Sequence, residues 1–185
     1  MARTRRVAAL YARECSDVHT SLRSFVSIGL IIIGLAVSGS GQGQQAAPLR
    51  LVGLDGVQHQ VTAEDWGKLP RTAVKAEDHG GVVATFEGVP ARELLKLLAA
   101  PLGHELRGQQ LSLYVVAEAA DGYKVVYALP EFDADFTDGV ILIADRKNGE
   151  VLPAKEGPLR VVVPWEKRQA RWIRQLTLLR LGQAP

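Results

Sequence analysis

Apolar and polar positions change their spacing repeatedly along the chain, and each change marks an element. Residues 49–54 (LRLVGL) alternate, the period-two pattern of a half-buried strand. Asp55-Gly56 then offers a hairpin turn into a return strand at 57–61. Thr62, with Asp65 three residues on, can cap a short helix over 63–69, which Pro70 stops. Residues 72–76 and 82–86 read as strands around a polar EDHGG turn. Pro90 suits the first turn of a helix running to about Ala100, where Leu94, Leu95, Leu97 and Leu98 form an apolar face. Strands follow at 111–117 and 123–129, joined at Asp121-Gly122, and 130–136 looks like a helical turn. Residues 140–144 (VILIA) read as a buried strand before an Asn148-Gly149 turn, with further strands at 159–163 and 173–181. In the last of these the even positions Arg174, Leu176, Leu178 and Arg180 are predicted on one face, with Leu179 and Leu181 on the other. The pattern predicts one α+β domain over 49–181, β-rich with a mixed sheet and short helices, then a tail at 182–185.

The first part of the chain has a different texture. Residues 25–37 (FVSIGLIIIGLAV) carry no charge, and five arginines precede them. Thirteen residues is short for a membrane span, which needs about 20. It suits the apolar core of a signal peptide behind a basic leader, with small residues from Ser38 onward as cleavage-site material. Residues 1–38 are therefore expected to be a signal peptide or an N-terminal anchor, and 39–48 (GSGQGQQAAP) a flexible linker. The expected product is exported, periplasmic or secreted, and free of the membrane once cleaved.

Charge sharpens this division. The chain of 185 residues has a net charge of +2, yet residues 48–185 hold 17 Lys and Arg against 18 Asp and Glu. A near-neutral body lacks the cations that nucleic-acid binding requires. Cys15 is the single cysteine, so neither a disulfide framework nor a zinc–thiolate or iron–sulfur site can be assembled within the chain.

Candidate chemistry is sparse. His59, His79 and His104 stand far apart and in no metal-binding spacing, so no metal ligands are assigned. His59 and His104 read as surface residues. Glu77-Asp78-His79-Gly80-Gly81 is either a solvated turn or the floor of a compact polar pocket. No G-x-S-x-G elbow and no phosphate-loop lysine occurs, so no catalytic residue is assigned. Arg160, Lys167, Arg168, Arg171, Arg174 and Arg180 fall within 21 residues, against only Glu166. Such a cluster is either a solvated face or a phosphate site, because guanidinium forks match phosphate oxygens. Trp165 and Trp172 bracket it, as core residues or as walls for a flat heterocycle.

Four segments taken in order resemble a known family. Gly88-Val89-Pro90-Ala91-Arg92-Glu93-Leu94-Leu95 is similar to the G-V-P-L-x-x-L-L segment of sulfite-oxidase-type molybdopterin-binding oxidoreductase domains. Asp121-Gly122-Tyr123 resembles that family's D-G-Y element. Leu152-Pro153 with the run from Gly157 to Pro164 resembles its L-P…G-x-P-L-R-L-V-V-P, and Ala170-Arg171-Trp172-Ile173 its V-K-W-[VIL]. The resemblance implies a β-rich mixed fold around a pterin site, with molybdopterin as the cofactor. By carry-over, Arg160, Arg171 and Tyr123, with Asp78, His79 and Gly80, would form one cofactor-binding pocket at one end of a sheet. The family's molybdenum-binding cysteine precedes its G-V-P segment; twelve residues before Gly88 stands Ala76, and no cysteine occurs from 16 to 185. A thiolate ligand has no substitute in alanine. Three readings follow: an exported enzyme holding molybdopterin with unusual metal ligation, a non-catalytic periplasmic module that keeps the fold and pocket but holds another small anionic ligand or none, or a structural or partner-binding domain. A redox partner protein belongs to the first.

Overall fold

The computed structural model describes residues 49–185, so the expected signal or anchor segment and linker lie outside the described residues. The described part builds two five-stranded sheets around a single core. In chain order the strands are β1 (Leu49–Val52), β2 (Gln58–Val61), β3 (Thr72–Glu77), β4 (Val83–Pro90), β5 (Leu113–Ala119), β6 (Lys124–Ala128), β7 (Leu142–Lys147), β8 (Glu150–Val151), β9 (Arg160–Val162) and β10 (Leu176–Gln183). The first sheet runs β2-β1-β10-β5-β6; the second runs β3-β4-β7-β8, with β9 also paired to β7. β1 and β10 pair parallel, joining the two ends of the described chain, and the remaining pairs are antiparallel.

Local chemistry explains most of these elements. Helix α1 (Ala63–Lys68) begins at a complete capping box, in which Thr62 and Asp65 satisfy each other's backbone N–H. Such a cap is worth about 1 kcal/mol. β5 alternates buried and half-exposed residues from end to end, as a sheet with one core-facing side requires. Gly88 sits where β4 bulges against β7, and a Cβ there would lie 2.0 Å from the Ile143 carbonyl oxygen. Only glycine permits that approach, which gives the glycine of the G-V-P segment a physical reason.

Several boundaries differ from the pattern's expectation. Helix α2 (Ala91–Lys96) stops well before Ala100, because Ala99 adopts a positive φ of 50° and the Ala100 N–H turns back to the Leu95 carbonyl. Pro90 ends β4 and stands outside the helix as its cap. β5 starts at Leu113, since 3₁₀ turns occupy Gly103–Glu105 and Gly108–Ser112. The helical turn after β6 is the 3₁₀ segment Leu129–Phe132. β10 begins at Leu176 and continues to Gln183. A register shift between Leu176 and Leu178 breaks the even–odd expectation: Leu176 joins Leu179 and Leu181 in the core cluster, while Leu178 lies outside it and Arg180 is exposed. Among the described residues no helix is long and apolar enough to cross a membrane.

Candidate functional site

The sheet register carries distant charges to one end of the second sheet. Phe86 of β4 pairs with Lys147 of β7, and Ala144 of β7 pairs with Arg160 of β9. β3 ends at Glu77, so Asp78 enters the turn beside them. Arg160 is wholly buried and donates to Asp78 at 2.9 Å and to Glu156 at 2.5 Å. Lys147 donates to the same Asp78 carboxylate. The Arg160 guanidinium lies 5.2 Å from the Phe86 ring centroid and 5.4 Å from that of Trp172, a stacked setting that desolvates it further. Burial pushes the Asp78 carboxyl up, but hydrogen bonds from Arg160 and Lys147 outweigh it and hold the group well below the ordinary carboxylate range. Two donors of this inner wall, Arg160 Nε and Trp172 Nε1, have no acceptor among the described residues.

A second charged cluster surrounds Arg171. Its guanidinium donates to Glu131 at 2.9 Å and, through Nε, to Glu166 at 2.6 Å. It lies 4.7 Å from the Tyr127 ring centroid. Hydrogen bonding to Glu131 comes first among the causes that raise the Arg171 pKa further, so it is a permanent cation. Burial, with the nearby Glu166 charge, pushes the Tyr127 hydroxyl far above its usual range, and that hydroxyl donates to the Arg171 carbonyl oxygen.

The 3₁₀ turn Gln169–Arg171 links the two clusters. Gln169 donates to the Glu77 carbonyl at 2.7 Å, and the Tyr123 hydroxyl donates to the Ala170 carbonyl at 2.9 Å. The end of β3, the Gln169–Arg171 turn and Tyr123 thus form one stretch of surface. His79, Gly80 and Tyr123 are exposed on it, whereas Asp78 and Arg160 are buried beneath it. Gly80 and Gly81 take φ of 88° and 79°, values that favour glycine and shape the turn. The linear run of cations does not become one basic face: Arg160 points inward, Arg171 is held by carboxylates, and Lys167, Arg168, Arg174 and Arg180 are exposed. Of the tryptophans, Trp172 is core and Trp165 is exposed, its ring against Gly139. His59 and His104 are exposed.

Sequence reasoning missed Lys147 and Glu131. Their partners lie 69 and 40 positions away, and no local spacing announces such pairs. The Glu156–Arg160 pair, at four-residue separation, was open to inspection.

The chain belongs to the family described as the oxidoreductase molybdopterin binding domain, which matches residues 57–183. Among solved structures it is similar to the sulfane dehydrogenase SoxCD from Paracoccus pantotrophus, with a TM-score of 0.54 and 22% identity over 75% of this chain. It spans 38% of that chain, and the likeness is one of fold. No curated protein matches the sequence.

Family membership makes molybdopterin the group to test against these residues. A thiolate-bound molybdenum does not fit them. Ala76 is a buried core residue paired with Ala84, and among the described residues no three His, Cys, Asp or Glu side chains are placed to hold a metal.

Proposed function

We propose that this chain is an exported, non-catalytic member of the molybdopterin-binding family, which holds a pterin or another small anionic ligand without a thiolate-bound metal. The observation that carries the reading is Arg160. The arginine that would face a ligand by resemblance is buried and clamped between Asp78 and Glu156. In that position it braces the 78–81 turn from below, and the ligand rests on the outer surface. Lys167 and Arg168, exposed just before the Gln169–Arg171 turn that contacts Glu77 and Tyr123, supply unburied positive charge. Export is supported by the apolar run at 25–37 behind its arginines.

Protein purified from its source tests the metal and the ligand together. Elemental analysis is expected to find far less than one molybdenum per chain, and oxidation followed by fluorescence reports a retained pterin. Stoichiometric molybdenum overturns the non-catalytic reading. N-terminal sequencing of the same sample is expected to start between Gly39 and Leu49; an intact Met1 end overturns export.

A further inference from the structure

The opposite end of the β4–β7 pair carries a second feature. Pro90 pairs with Leu142 there, and the Ala91 N–H donates to the Ile141 carbonyl at 2.8 Å. Between the start of α2 and the loop that leads into β7 lies a pocket of about 220 Å³. Its walls include Pro90, Phe132 and Ile141 as apolar surface, with Arg92, Thr137 and Asp138 as polar groups. Pockets for drug-sized ligands run from about 300 Å³ upward, so this one suits a smaller molecule.

Arg92 differs from the two arginines of the candidate site. Among the described residues its one ion pair is with Glu93 at 3.5 Å, outside good hydrogen-bond geometry. Glu93 is itself occupied by Lys96, at 2.8 and 2.9 Å. Among the described residues the buried Arg92 Nε has no acceptor. Thr137 Oγ1 accepts from the Gly139 N–H at 3.0 Å, which leaves its hydroxyl proton available. A planar fork of donors and a hydroxyl in the lining of one partly apolar pocket are complementary to a carboxylate on an apolar body. Asp138 on the wall disfavours a second negative charge.

The geometry points to a binding site at Arg92 for a small monocarboxylate with an aromatic or branched apolar body. The carboxylate sits on the Arg92 guanidinium and the Thr137 hydroxyl, and the body lies against Pro90, Phe132 and Ile141. The site lies at the Pro90 end of β4, and the 78–81 turn lies at the other end of that strand.

Titrating the full chain with benzoate, followed by amide NMR, tests this. Saturable shifts are expected at 137–141, with a Kd on the order of 1 mM, ordinary for so small a ligand. Benzamide, of the same shape without the charge, and phthalate, with a second charge, are expected to bind at least about tenfold more weakly, as a single charged hydrogen-bonded contact commands. Arg92→Gln is expected to lower benzoate affinity by about the same factor. The proposal is overturned by an absence of saturation, by equal binding of benzoate and benzamide, by an unchanged Arg92→Gln variant, or by shifts confined to 78–81 and 165–171.

Discussion

At the Asp78 end of the β4–β7 pair, carboxylates have been brought to the cations. Arg160 has Asp78 and Glu156, and Lys147 shares Asp78. At the Pro90 end, among the described residues, Arg92 has only the distant and already engaged Glu93. One pair of strands thus ends in a charge network that is internal to the fold, and at its other end in a cation with donors to spare. The difference lies in burial. A guanidinium with no exposed surface must be neutralised by its own chain, because an unpaired buried charge costs several kcal/mol. Arg92, only half-buried, keeps water as an alternative partner and can exchange it for a ligand. Charge that stabilises the fold and charge that is available to bind are in this molecule carried by different arginines.

The greatest loss of stability is expected at the Asp78 end. Asp78→Ala leaves Arg160 buried with Glu156 alone and is expected to cost about 3–5 kcal/mol of stability in denaturant unfolding. The pH dependence follows from the same carboxylate. Its folded pKa is depressed, so its contribution is full above the unfolded value of about 4 and is lost as pH falls below it. Wild-type stability is expected to drop on acidification through that range, and an Asp78→Asn variant to lack this part of the drop. An identical acid limb in both would show that other carboxylates govern it.

Gly88 joins the two ends, since both depend on the β4–β7 register. Gly88→Ala sets a methyl 2.0 Å from the Ile143 carbonyl oxygen, and relieving that clash is expected to cost about 1–3 kcal/mol. A neutral result in thermal unfolding would mean that the bulge can be rebuilt cheaply.

Arg171 lies between the extremes, about a third exposed, paired with two carboxylates and stacked on Tyr127. Arg171→Ala is expected to cost about 1 kcal/mol, because solvent screens its pairs and the lost stacking adds only modestly. A loss as large as that of Asp78→Ala would place Arg171 among the buried framework charges.

These contrasts also mark what the sequence could reveal. The α+β class and most strands were legible, because period-two alternation and turn residues act locally, as in β5 or the Thr62 cap. The end of α2 was not, since Leu97 and Leu98 continue the apolar pattern while the backbone turns at Ala99. Neither was the face of Leu176, which a bulge reversed. For the site, the family's ordered segments singled out Arg160, Arg171 and Tyr123, and the polar turn at 77–81 added Asp78, but type and spacing are silent on burial. Arg160 and Arg168 look alike in the chain, and pairing across the sheet buries the first and leaves the second outside. Arg92 lies inside the segment that begins at Gly88, where spacing says nothing of its role, and the pocket sets it apart.

Stability is expected to change least at the Arg92 end of β4. Arg92→Gln removes a cation that the fold does not use, and keeps a polar side chain of similar reach. Its unfolding free energy is expected to stay within about 0.5 kcal/mol of wild type, as for surface substitutions away from caps, cores and networks. The acid limb set by Asp78 should be unchanged, because the two groups occupy opposite ends of β4 and distant substitutions act additively. A stability loss above about 1 kcal/mol, beyond the range for such surface changes, would mean that Glu93 and Arg92 form a working pair despite their 3.5 Å separation. Both ends of the strand pair would then be framework, and the distinction between binding charge and structural charge would fall with it.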